Sequence, residues 1–219
     1  MGFALAVWSR PLTAAYAPAV LWGAWQRSST PVRARNLALA SALCALTILV
    51  PMALNTLKFD HPLESGYRYI YLGRDDGFAK DAAHGIFSTH FIPRNLYYMN
   101  AAFPQLVETD LGTRLEPDSK GAGIWLPSPL LLLVFVYGPC IWRDPQSRWM
   151  LLGAMVVFAA LLLYHGTGED QGGYNRYSLD YVPVMMGLIA PHVETGRRPW
   201  VVLACVAWSV TYFCFLIAA

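Results

Sequence analysis

An all-α, polytopic transmembrane helix bundle is the fold class this sequence predicts, and three observations predict it. Of 219 residues, 56% are hydrophobic and only 14% charged, whereas about a quarter of a soluble domain is charged. The apolar residues gather into about six stretches near the ~20 residues a helix needs to cross a bilayer: 2–25, 37–57, 124–142, 149–164, about 174–193, and 200–219. The basic residues are distributed unevenly between the connections. Seven of them (Arg27, Arg33, Arg35, Arg143, Arg148, Arg197, Arg198) crowd into the 23 positions of three short turns, against eight in the 78 positions of 58–120 and 166–180, each of which is net acidic. By the positive-inside rule the short turns face the cytoplasm and the 63-residue segment 58–120 is extracytoplasmic.

The organisation that follows is two spans in 1–57, the extracytoplasmic loop region in 58–123, and four spans in 124–219. The first span is interrupted at Ser9-Arg10-Pro11, since proline ends or kinks a helix and restricts the residue before it. Spans two, three and six are the cleanest apolar runs. Pro51, Pro127, Pro129, Pro183 and Pro191 predict further kinks or breaks. In the loop, Ile92, Leu96, Met99 and Phe103 recur at four-three-four spacing behind Pro93, which predicts a short amphipathic helix over 93–102. Tyr97 and Tyr98 on it suit the headgroup layer. All four cysteines (Cys44, Cys140, Cys205, Cys214) fall in or at the end of spans and read as small core hydrophobes, with neither a disulfide framework nor zinc-site spacing. The chain opens inside an apolar stretch, without the basic n-region of a signal peptide, and closes inside another. It therefore reads as part of a longer protein.

Ionisable groups at membrane depth are costly and mark candidate sites. The uncharged part of span five, 181–193, is only 13 residues long, so the helix must recruit Arg176 and Asp180 or dip partway into the bilayer. If that stretch is helical, Arg176 and Asp180 lie four apart on one face with Tyr177 nearby, a guanidinium held by its own carboxylate. Such a fork captures phosphate by planar, charge-assisted hydrogen bonds. Arg68, in Glu64-Ser-Gly-Tyr-Arg-Tyr69 just outside span two, mirrors it. Two outward arginines framed by Tyr67, Tyr69, Tyr174 and Tyr177 form a candidate pocket for a lipid phosphate or a sugar. An ion pair that merely neutralises two charges, and interfacial aromatic belts with snorkelling arginines, account for the same residues.

Arg10, beside Pro11 in the first span, is a third candidate. The doublets Asp75-Asp76 and Glu169-Asp170 have the composition of a general base or a divalent-metal site, but without a partner motif they read as solvated loop charges. His61, His84 and His90 lack metal-motif spacing. No cofactor is indicated, and no nucleic-acid-binding surface is visible.

Trp8-Ser-Arg-Pro11, Gly66-Tyr-Arg-Tyr69, Pro93-Arg-Asn-Leu-Tyr-Tyr98, Trp125-Leu-Pro-Ser-Pro-Leu130 and Tyr174-Asn-Arg-Tyr-Ser-Leu-Asp-Tyr-Val-Pro183, taken in order, resemble the C-terminal half of bacterial polytopic glycosyltransferases of the GT-C type. These are similar to protein mannosyltransferases and the aminoarabinose transferase of lipid A. The resemblance implies an enzyme of the bacterial cytoplasmic (inner) membrane that moves a sugar from a polyprenyl-phosphate donor to an acceptor at the outer face. On that reading Arg68 and Arg176 hold the carrier phosphate, Tyr67, Tyr69, Tyr174 and Tyr177 shape the sugar pocket, and Asp180 partners Arg176. In such enzymes the catalytic acid lies in an early outward loop that this chain does not contain, so no residue here inherits that role. A transporter or flippase component for an anionic or lipid-linked substrate, and a non-catalytic membrane scaffold, are the rival readings.

Overall fold

The computed structural model describes residues 2–64, 66, 84–109, 112–116, 118, 122–167, 175–194 and 199–218. Among these the chain is mostly helical, with eight α-helices and one two-stranded hairpin. Helix α1 (Gly2–Ser9) stops where expected: Arg10, pressed by Pro11, is extended with φ −143°. The chain then tightens into a 3₁₀ turn (Pro11–Tyr16) and resumes as α2 (Ala17–Arg27).

Helix α3 (Thr30–Phe59) starts with Pro31 in its first turn and ends at Asp60, whose φ of 56° is the left-handed C-terminal cap more usual for glycine. Pro51 lies inside it and has no N–H to offer the carbonyl four residues earlier, that of Thr47. The indole Nε1 of Trp8 donates to that oxygen at 3.2 Å. One side chain therefore both satisfies the proline defect and ties α1 to α3.

Helix α4 (Ile92–Asn100) is the loop helix predicted over 93–102, with proline in its first turn. Asn95 and Met99 are fully buried, with Phe91 one turn earlier, while Leu96 and Phe103 are exposed. Strands β1 (Gln105–Thr109) and β2 (Gly112–Glu116) pair antiparallel from Gln105↔Glu116 to Thr109↔Gly112. The sequence predicts no strand here.

Span three is broken by its prolines into a turn, a 3₁₀ segment (Pro129–Leu132) and α5 (Leu133–Arg143). Helix α6 (Pro145–Leu163) begins on Asp144, whose Oδ2 accepts from the Ser147 N–H at 2.7 Å, with proline at the first position. A 3₁₀ turn (Arg176–Asp180) leads into α7 (Val182–Glu194), and α8 (Pro199–Ala218) closes the chain. By length and composition, α3 and α6 are long and apolar enough to cross a membrane; 129–143, 182–193 and 199–215 are shorter apolar stretches.

Helix α6 is the axis of the molecule, touching α2, α4, α5, α7 and the first 3₁₀ turn. Gly153 lets the first 3₁₀ turn lie directly on α6: a Cβ there would lie 2.5 Å from the Tyr16 ring. Tyr16, Leu131, Val157, Leu161 and Tyr181 form the main core, and Val134, Ile141, Leu188 and Ile189 a second one between α5 and α7. Of the cysteines only Cys44 is buried; Cys140 and Cys214 are exposed, so they are not the core fillers expected.

Candidate functional site

The loop is bolted to the end of α6, and the bolt is built from carbonyls. A helix leaves its last four C=O groups without partners. Here the Asn95 amide donates to the oxygens of Leu161, Leu162 and Tyr164 at 3.2, 2.9 and 2.7 Å. The Thr167 hydroxyl donates to Leu161 O at 2.7 Å, and Ser88 N–H to Leu163 O at 2.9 Å. His165 N–H reaches back to Ile86 O at 3.0 Å, and Arg94 Nη2 donates to His165 O. Asn95 and Arg94 were read only as helix positions in the sequence. Their signal, polar residues on the same helical side as the buried Met99 and Phe91, emerges once the buried side is known.

Around this cap lies a continuous aromatic layer. Phe87 meets Tyr164 at 5.5 Å between ring centroids, Tyr164 meets Tyr177 at 5.4 Å, and Tyr164 also contacts His165 at 4.8 Å. Two guanidiniums lie over its rings: Arg94 over Phe91 at 5.2 Å and Arg176 over Tyr177 at 5.4 Å.

Beneath the layer lies an ion pair. Arg10 Nη1 is 2.9 Å from Asp180 Oδ1, the carboxylate side chain being 4% exposed and the arginine 37%. The Tyr16 hydroxyl donates to Asp180 O at 3.0 Å. Depth follows from the neighbours. Tyr181 sits edge-on to Phe158 at 5.7 Å, and Phe158 is five residues inside the end of α6, about 7.5 Å at ~1.5 Å per residue. The pair is therefore sunk below the end of α6.

Arg176 and Asp180 were expected to share a face as an α-helical i, i+4 pair. They stand instead on a 3₁₀ turn, opened by Asn175 whose Oδ1 accepts from the Tyr177 N–H at 3.2 Å. With 3.0 residues per turn, positions four apart are a third of a turn out of line. Asp180 accordingly turns inward to Arg10, while Arg176 is exposed on Tyr177. The structure thus brings Asp180 and Tyr177 to the same end of the bundle as Arg176, with Arg10 as the partner of the carboxylate. The predicted positions Tyr67, Arg68, Tyr69 and Tyr174, and both acidic doublets, lie outside the described residues. His84 and His90 stack on each other at 3.9 Å rather than converging on a point, and among the described residues no three His, Cys, Asp or Glu side chains could hold a metal ion. Comparison of the chain with protein-family models, with curated proteins and with solved structures finds no match.

Proposed function

We propose that this chain is the carrier-binding part of a polytopic glycosyltransferase of the bacterial inner membrane, acting at the outer face on a polyprenyl-phosphate-linked sugar. The membrane part of the reading draws on surface chemistry. Only 11% of the most apolar 18-residue window of α3 is buried, and 22% of that of α6. Helix α3, apolar on most sides and largely uncovered by protein, matches a hydrocarbon solvent rather than water. Six spans arise if 129–143, 182–194 and 199–218 cross with the help of their flanking turns.

The observation that carries the site is the Arg10–Asp180 pair under the aromatic layer. A carboxylate sunk below the helix end holds one edge of a guanidinium whose side chain is still 37% exposed. That leaves donors for a second anion, and a carrier phosphate arriving from the bilayer has the matching fork geometry. Arg176 on Tyr177 and Arg94 on Phe91 supply positive charge at the rim, and the tyrosine rings offer stacking faces and hydroxyls to a sugar. The catalytic carboxylate would come from elsewhere in the intact protein.

One observation favours the transporter reading: the first span is a discontinuous helix broken at a charged residue, a frequent device at substrate sites of transporters. Transfer of radiolabelled sugar from polyprenyl phosphate in membranes holding the intact protein separates the two. Loss of one charge-assisted contact is worth roughly 1.5–3 kcal/mol, hence about ten- to a hundredfold in turnover. Arg176→Ala and Arg10→Ala should each fall by that order, Arg176→Lys by less, and Leu106→Ala on the exposed hairpin not at all. Unchanged transfer by both alanine variants at equal protein level, with altered substrate movement across the membrane, would hand the site to the transporter reading.

A further inference from the structure

At the opposite end of the molecule an apolar groove of about 330 Å³ opens between α2, α3 and the start of α6, lined by Pro18, Leu21, Trp22, Trp25, Leu37 and Trp149. That volume is at the lower end of small-molecule sites. Its mouth is basic. The Arg33 guanidinium lies over the Trp25 ring at 4.7 Å, with Nε and Nη2 each 3.4 Å from Ser28 O, so that Nη1 carries no hydrogen bond among the described residues. Arg27 ends α2 two positions beyond Trp25, and Arg148 immediately precedes Trp149. No acidic residue occurs anywhere in 2–57, and Asp144, the nearest acid in sequence to Arg148, is engaged as the cap of α6. Trp22, one of its walls, keeps its indole N–H buried without a partner among the described residues.

We infer that this groove binds an anionic phospholipid of the cytoplasmic leaflet, with its acyl chain between the tryptophans and its phosphate on Arg33. Two features act together: apolar walls select a chain, and Arg33, held on Trp25, selects a negative headgroup. Basic pockets between helices on the cytoplasmic side take anionic headgroups by this chemistry. A basic turn that only orients the chain in the bilayer needs no groove and no tryptophan-backed arginine. The inference rests on the membrane reading of the bundle and not on the sugar-transfer chemistry.

Native mass spectrometry of the full chain, released from mixed vesicles of phosphatidylglycerol and phosphatidylcholine, tests it. One retained phosphatidylglycerol should be favoured over phosphatidylcholine. Arg33→Gln should cut the preference roughly fivefold, the worth of one arginine at an anionic surface. Leu37→Trp, which fills the groove, should reduce retention of both lipids. Arg197→Gln with Arg198→Gln, in another basic turn, should leave the preference intact. Equal retention of both lipids by the unaltered chain, or an equal loss in the Arg197/Arg198 variant, would overturn the groove in favour of general surface charge. Failure of the chain to enter the vesicles at all would instead overturn the membrane reading beneath it.

Discussion

Arg10 and Asp180 join the first broken helix to the turn ahead of α7 through a 2.9 Å ion pair. The bond is reinforced two 3₁₀ turns later, where Tyr16 donates to the backbone of the same Asp180. A charge in an apolar interior is tolerated only when paired, so each residue makes the other's position possible. The pair also fixes the break at Arg10-Pro11 against the centre of the bundle, which is why the discontinuity has a defined geometry.

Separating the two should therefore destabilise the fold. Breaking a fully buried pair costs about 3–5 kcal/mol, and the partial exposure of Arg10 places this one below that range. In detergent, Arg10→Ala and Asp180→Asn should each lower the thermal unfolding midpoint, with Arg10→Ala the worse because it strands the buried carboxylate, whereas the guanidinium left by Asp180→Asn is partly open to solvent. The double variant Arg10→Ala/Asp180→Asn should lose less than the sum of the two single variants. Additive losses in that cycle would show that the pair is not energetically coupled.

Gly153 is the second test of the same region. A Cβ there would stand 2.5 Å from the Tyr16 ring and 3.1 Å from Ala15 O, so Gly153→Ala must push the first 3₁₀ turn off α6. Overpacking of this kind costs about 1–3 kcal/mol. Introducing Tyr16→Leu into Gly153→Ala should recover part of the loss, as measured by resistance to thermal unfolding. Wild-type stability of Gly153→Ala would mean that the two elements are not in contact.

Much of this architecture is visible in the residues themselves, because it depends on local rules. Pro11 dictates the break after Ser9, and Pro93 dictates the start of α4. The hidden parts depend on partners far along the chain. Nothing near Asp180 in sequence reveals Arg10 as its counterion, and the α-helical spacing that pointed to Arg176 fails because the turn is 3₁₀. The four-three-four apolar pattern predicts the loop helix but gives no sign of Asn95, which the chain buries to satisfy the end of α6. Hydrophobic periodicity has no term for that demand. The positions Arg68 and Tyr174 lie outside the described residues.

Asn95 should accordingly tolerate replacement poorly for a polar residue on a loop helix. Asn95→Leu leaves the Leu162 and Tyr164 carbonyls without this donor in a buried setting, at roughly 1–3 kcal/mol for an unsatisfied group. The cost should be local as well as global. Amide hydrogen exchange at Tyr164–Thr167 and at Ile86–Ser88 should accelerate together, since both belong to the same capped junction. Acceleration at one and not the other would separate the loop from the end of α6.

At the other end of α6, Asp144 offers a pH test. The Ser147 hydroxyl first, and the Ser147 N–H with it, hold the Asp144 carboxyl below the usual carboxylate range. A lowered folded value means that the cap contributes fully at pH above the unfolded value, about 3.9. The contribution is lost as the pH falls through the folded value. Hydrogen exchange in the first turn of α6 should be flat, after correction for the intrinsic pH dependence of exchange, from pH 7 to about 4 and should rise below that. Asp144→Asn keeps an acceptor at the cap and should abolish the acid step while leaving neutral-pH protection nearly intact. Asp144→Ala should lose about 0.5–2 kcal/mol of protection at every pH. An acid step that survives in Asp144→Asn would assign the titration to another group and remove the cap as its origin.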